Sequence, residues 1–277
     1  MFSEYYFPIL LALVWSFFAS ITDFKTREVP NWISYTLIVF AVTYRIFYSL
    51  YTSNYLFTLY GLIGIFIFVF LGFAFYYAGA FGGGDAKLIM GMGGILPFTS
   101  FYSIFYISFA FLITFFSIGV IYTLGYSFFL INSNKKFKSH FYSRVKNSSK
   151  YILGFFILGL LLFLYFLPSY LLGAAFFALG IMPFIYIYVK CVDEFCMVKT
   201  VDPSKLREGD WICDDIDMSG KIIRKTVHGL SVKDIYLLKK RGKKVKIRDG
   251  IPFTVVFFIS LMVFFFLFLS NLFYYPF

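Results

Sequence analysis

Eight apolar runs separated by short polar breaks set the plan of this chain. They fall near Tyr5–Ile21, Trp32–Tyr51, Tyr55–Ala78, Asp85–Pro97, Phe101–Ile131, Tyr151–Leu167, Tyr170–Val189 and Ile251–Tyr275. All but the fourth are long enough to cross a bilayer as helices, at about 1.5 Å per residue. The fourth crosses only if its ends run on or its neighbours thin the membrane. Short turns at Thr52–Asn54 and Pro168–Ser169 and a basic stretch from Asn132 to Lys150 join the runs. The first run lacks a basic leader region and a small-residue cleavage site, so it is read as a retained helix.

The pattern changes between Lys190 and Gly250. Trp211–Cys213, Lys221–Val227 and Lys244–Ile247 are β-prone runs bounded by Asp, Ser and Gly. Ser231-Val232-Lys233-Asp234 reads as a capping box opening a short helix that ends before Gly242. The expected architecture is a polytopic α-helical membrane protein of six to eight transmembrane helices. A small cytoplasmic α+β domain precedes the last helix.

Composition narrows this further. Sixty per cent of the 277 residues are hydrophobic, with 42 Phe and 23 Tyr, which excludes an ordinary soluble domain. Positive charge orients the spans. With Lys25 and Arg27 inside, Lys87, the 135–150 stretch and the 190–250 segment also fall inside. Arg45 alone lies toward the outer face, where it is expected to reach out to the headgroups. Both termini then face outward. The net charge of +11 is accounted for by this topology and by anionic lipid, so membrane lipids are expected partners and nucleic acid is not.

The acids are sparse, and two of them carry the candidate chemistry. From Tyr5 through Val192 the only Asp or Glu residues are Asp23, Glu28 and Asp85. The topology puts Asp23 and Asp85 at the same depth, near the cytoplasmic rim. Each alone has an ordinary explanation: Asp23 as a helix-end partner of Lys25 or Arg27, Asp85 as a helix N-cap after Gly82-Gly83-Gly84. Together they suit hydrolysis by a carboxylate pair that shares one proton, one acting as base on water and the other as acid. The two roles are not assigned individually, because such a pair titrates as a unit. No His-Glu-x-x-His occurs, both histidines lie outside the spans, and Asp-Ala-Lys follows the glycines where a phosphate loop needs Gly-Lys-Ser/Thr. Cys191, Cys196 and Cys213 have no metal-binding spacing and are expected to be free thiols. No metal or cofactor is expected. Lys87 is expected to support the motif, with lipid phosphate as its favoured contact. Asp249 is read as a helix-start residue.

These residues resemble a known family. Gly82-Gly83-Gly84-Asp85 matches the Gly-x-Gly-Asp motif of membrane aspartyl proteases. Asp23 through Asn31 (Asp-Phe-Lys-Thr-Arg-Glu-Val-Pro-Asn) is similar to the first-aspartate segment of type IV prepilin and archaeal preflagellin peptidases. Lys205–Asp210, Gly229–Ile235 and Ile251-Pro252-Phe253 resemble the archaeal branch. Presenilin-like proteases share the glycine motif, but their first aspartate follows a tyrosine where this chain has Thr22, so they are the weaker relatives. The resemblance implies an aspartic endopeptidase of the cell membrane, active at its cytoplasmic face. It would remove the short basic leader of class III signal peptides from pilin-like or archaellin-like precursors. Asp23 and Asp85 would be the catalytic pair, with Gly82 and Gly84 shaping the approach of the second. Many bacterial members carry a cysteine-rich insert and N-methylate the product. Nothing like that insert occurs here, so no methyltransferase activity is expected.

The expected partition is a catalytic transmembrane core at 1–131, a basic cytoplasmic loop at 132–150 and a transmembrane hairpin at 151–189. A cytoplasmic α+β domain at 190–250 and a last transmembrane helix at 251–277 complete it. Two other functions compete: a transporter using the acids as a proton relay, and a non-catalytic assembly scaffold. Transporters usually place such residues at the midplane of repeated halves, and neither feature is evident here.

Overall fold

In a computed structural model of the chain, the apolar runs are helices that stop where local turn chemistry stops them. The structure describes residues 3–132, 135–165, 170–217, 222–226, 229–242, 244–248 and 250–270. In chain order the elements are α1 (Ser3–Thr26), α2 (Asn31–Thr52), α3 (Tyr55–Tyr77), α4 (Gly83–Ile95), α5 (Phe101–Asn132), α6 (Lys135–Asn147), α7 (Ser149–Tyr165) and α8 (Tyr170–Phe195). There follow β1 (Val198–Val201), β2 (Trp211–Ile212), β3 (Ile216–Asp217), β4 (Ile222–Ile223), α9 (Val232–Arg241), β5 (Val245–Arg248) and α10 (Thr254–Leu269). The chain divides into two units, Met1–Thr123 with Ile251–Phe277, and Leu124–Gly250.

In the first unit, α1 ends in a left-handed turn. Arg27 has φ 59°, and its N–H donates to Asp23 O at 2.8 Å. Pro30 then supplies the extended residue from which α2 begins. Helix α4 ends at Ile95, two residues before Pro97, with Leu96 extended at ψ 143°, as the residue before proline prefers. Its 13 residues span only about 20 Å, short of a hydrocarbon core of about 30 Å. Helices α3 and α4 meet backbone to backbone. A Cβ on Gly93 would lie 2.3 Å from Gly64 O, so only glycine allows that approach. Phe68, Phe111, Phe115, Phe257 and Phe264 fill the centre of this unit.

Arg45 departs from expectation. It does not reach the headgroups; it is 1% exposed. Its Nε donates to Gly94 O at 2.6 Å, one terminal nitrogen to Phe57 O at 2.8 Å and the other to Leu96 O at 2.7 Å. The last carbonyls of a helix lack intrahelical donors and carry partial negative charge. A buried guanidinium with its fork of donors satisfies them at the end of α4 and bonds the start of α3 as well.

Among the described residues, four helices are long and apolar enough to cross a membrane: Glu4–Thr26, Asn31–Thr52, Tyr55–Tyr77 and Phe101–Asn132. A fifth span arises if the bent pair Phe137–Asn147 and Ser149–Tyr165, which turns by 67°, counts as one. That is fewer than the six to eight expected, although the class, a multi-pass helical membrane protein, stands. Two expected crossings are short helices, α4 and the 16-residue α10. The expected turn at Pro168–Ser169, residue Asp249 and the end of the last run lie outside the described residues.

In the second unit, the stretch expected as a loop at 132–150 carries a helix, α6. Phe137 is buried and Phe141 half-buried against Tyr188, Cys191 and Val192, while Lys138, His140 and Lys146 are exposed. Its apolar face is narrow, and the dense lysines conceal it in the sequence. Helices α7 and α8 touch at Gly159 and Gly180. The polar segment forms an antiparallel sheet of order β1-β5-β2 and a separate β3–β4 pair. Ile212, Ile223, Leu230, Ile235, Leu238 and Val245 make its small core. Helix α9 has the expected capping box, Ser231 with Asp234, and ends at Gly242 with φ 68°. The three cysteines are free thiols.

Candidate active site

Three segments of the first unit converge: the end of α1, the glycine turn before α4 and the start of α10. On α1, Ser16, Ser20 and Asp23 recur at helical spacing and are all buried, Asp23 at 8% exposure. Such a stripe is costly beside lipid and economical only against protein. The element it meets is α10, whose first residue, Thr254, is wholly buried. Thr254 donates to Asp23 Oδ2 twice, from its backbone N–H at 3.2 Å and from its hydroxyl at 3.0 Å. The hydroxyl also lies 3.3 Å from Ala19 O.

Two contacts fix the start of α10. The Tyr122 hydroxyl donates to Pro252 O at 2.8 Å. The Phe253 ring packs against Phe81 and Phe115, with centroids 5.8 Å apart in each pair. Phe81 is the residue immediately before the glycines, so the same aromatic cluster draws the glycine turn toward α10.

Asp85 is half-buried in the first turn of α4. It is not the N-cap. Gly82 holds that place, and Asp85 sits three residues on, with its carboxylate Oδ2 beside Gly82. The Asp23 charge bears on the Asp85 carboxyl, and packing places both candidates about the start of α10: Thr254 bonds Asp23, and Phe253 packs against Phe81 beside the glycine turn.

The motif glycines differ in what they permit. A Cβ on Gly84 would lie 2.9 Å from Val29 Cβ and 3.2 Å from its Cγ2. The first turn of α4 therefore rests on the loop that follows Asp23. A Cβ on Gly82 meets nothing nearer than Asp85 Oδ2 at 3.6 Å, an ordinary contact. Lys87 Nζ donates to Asn31 Oδ1 at 2.6 Å and lies 5.5 Å from the centre of the Tyr35 ring. These contacts are with the start of α2. Glu28 is exposed in the loop. Among the described residues no cluster of three His, Cys, Asp or Glu side chains forms.

Thr254, Phe253 and Val29 were not foreseen as parts of this site. The sequence signal for Thr254 was slight: a hydroxyl residue straight after Ile251-Pro252-Phe253, where the last helix begins.

A helical membrane protein with two converging aspartates is the class defined by this fold and site. Residues 10–124 match the family described as the type IV leader peptidase family. That segment, which holds both aspartates, is similar to the type IV leader peptidase family. Preflagellin peptidases are similar over part of their length. That of Methanocaldococcus jannaschii is 35% identical over 79 residues, 28% of this chain and 33% of the relative. That of Methanococcus maripaludis is 34% identical over 79 residues, 28% of this chain and 34% of the relative. That of Methanococcus voltae is 32% identical over 83 residues, 30% and 35%. The matched stretch spans about a third of the length of these curated relatives.

Proposed function

We propose that this chain is a membrane aspartyl endopeptidase of the preflagellin peptidase type, with Asp23 and Asp85 as its catalytic pair. The observation that carries this reading is the convergence of Asp23 and Asp85, two of the four acids of the first unit, within the segment that matches the leader peptidase family. A proton-relay transporter and a passive scaffold gain no support from that match.

The reaction needs a water molecule and the two side chains. One carboxylate takes a proton from water as its oxygen attacks the scissile carbonyl carbon. The other, as a carboxylic acid, gives its proton to the carbonyl oxygen, and a neutral diol forms. Return of a proton to the amide nitrogen lets the C–N bond break, releasing a carboxylic acid and a free amine. Two carboxylates held close share one proton between them, which matches this division of labour.

The proposed substrates are archaellin-like or pilin-like precursors with class III signal peptides, cut between the basic leader and the apolar helix that follows. The proposed site faces the cytoplasm. Lys25, Arg27 and Lys87 flank the aspartates, whereas the connections at 52–54 and 98–100 carry no basic residue. The test is to incubate the bilayer-embedded protein with archaellin and pilin precursors and to sequence every new N-terminus by mass spectrometry. A single new terminus just before the apolar helix supports the reading. Precursors left intact, or cut at scattered sites, overturn it.

A further inference from the structure

We infer that Thr254 is a positioning residue for Asp23, and that the first turn of α10 is thereby part of the peptidase site. This deepens the reading above and rests on it. Thr254 lies 231 residues from Asp23 in the chain, yet its amide and its hydroxyl both donate to a single carboxylate oxygen, Oδ2. Two donors from one residue fix both the rotation and the tilt of the carboxylate, which one bond would leave free. The residue is wholly buried, so water does not compete for these bonds.

The arrangement is reciprocal. The first N–H groups of any helix lack intrahelical acceptors, and Phe253, at the N-cap of α10, offers no side-chain acceptor. Asp23 supplies that acceptor from another helix, and a helix N-terminus favours a carboxylate there. Pro252 and Phe253 hold this turn in place through Tyr122, Phe81 and Phe115. Phe81 belongs to the segment that presents Asp85. One aromatic cluster therefore sets both the latch on Asp23 and the approach of Asp85. Alignment of the pair is thus written into α10, well outside either aspartate motif.

A residue that only packs would be replaceable by valine, which matches threonine in shape and lacks the hydroxyl. A positioning residue would be replaceable by serine, which keeps the hydroxyl and lacks the methyl. The experiment compares Thr254→Val, Thr254→Ser and Asp23→Asn with the unaltered protein, in bilayers, on a precursor that the unaltered protein cleaves. Thr254→Val is expected to lower kcat by about 10- to 100-fold, the scale of a misplacement near 1 Å, with KM within about twofold. Thr254→Ser is expected to stay within about threefold of the unaltered protein.

Equal activity of Thr254→Val and the unaltered protein overturns the inference. So does a Thr254→Ser protein as impaired as Thr254→Val, or a Thr254→Val protein recovered only unfolded, since the hydroxyl then serves folding. If the unaltered protein cleaves nothing, or cleaves no better than Asp23→Asn, the peptidase reading itself has failed. The two failures are therefore distinct.

Discussion

Gly84→Ala places one methyl group where the site has no room for it. The new Cβ would stand 2.9 Å from Val29 Cβ, 3.2 Å from Cγ2 and 3.5 Å from the Val29 nitrogen. Carbon atoms rest at about 3.5–4.0 Å, so the loop and the first turn of α4 must separate by roughly 0.6 Å or more. Val29 follows Asp23 by six residues and Gly84 immediately precedes Asp85, so that separation opens the site between its two acids. A shift of this size is expected to lower kcat by about 10- to 100-fold. Gly82→Ala is the control. Its Cβ has an ordinary contact at 3.6 Å and its φ of −66° suits any residue, so activity should stay within about threefold. Removing the obstacle should restore the rate: Val29→Gly takes away the two nearest atoms, Cβ and Cγ2, and leaves the backbone nitrogen at 3.5 Å. Initial cleavage rates in bilayers for Gly82→Ala, Gly84→Ala, Val29→Gly and the double variant form the assay. Equal losses for Gly82→Ala and Gly84→Ala, or a double variant no better than Gly84→Ala, would refute the steric reasoning.

The other structural claims have comparable tests. Arg45→Met leaves the carbonyls of Gly94, Leu96 and Phe57 without their guanidinium donors. Leu96 O still accepts from the Phe98 N–H at 2.9 Å and Phe57 O lies within α3, so Gly94 O is the carbonyl left unsatisfied and a loss of about 1–3 kcal/mol in unfolding stability is expected. Gly93→Ala drives a methyl to 2.3 Å from Gly64 O; separating α3 from α4 should cost about 1–3 kcal/mol in the same measurement. Lys87→Ala removes a bond to Asn31 on the rim and should change stability by less than about 1 kcal/mol, with cleavage within a few-fold. In the polar segment, burial pushes the Cys213 thiol up from its usual range. Thiolate is the reactive form, so alkylation by iodoacetamide should be slower than for a free thiol at neutral pH and should quicken as pH rises.

The readable parts of this protein were those set by local pattern. Long apolar runs declare helices whatever they pack against, and Ser231 to Asp234 with Gly242 marks both ends of α9 by backbone chemistry alone. Asp23 and Asp85 stood out because acids are scarce among apolar residues. What escaped was set by tertiary partners. Nothing near Arg45 reveals that three distant carbonyls will bury it. Thr254 and Val29 become part of the site only when α10 and α4 close on α1. The number of full crossings was also obscure, because hydropathy does not separate a short helix held inside a bundle from one that traverses the bilayer. Helix α6 hid for the opposite reason, its aromatic face being interrupted by lysines.

The central claim is that Asp23 and Asp85 act as one hydrolytic pair, and separate Asp23→Asn and Asp85→Asn substitutions test it most directly. Asparagine keeps the shape of each side chain and removes its ability to accept a proton from water or donate one as a carboxylic acid. With both proteins folded and embedded in bilayers, the processed precursor should be absent in each, while the unaltered protein produces it. Processing at the unaltered rate by either variant would contradict the account.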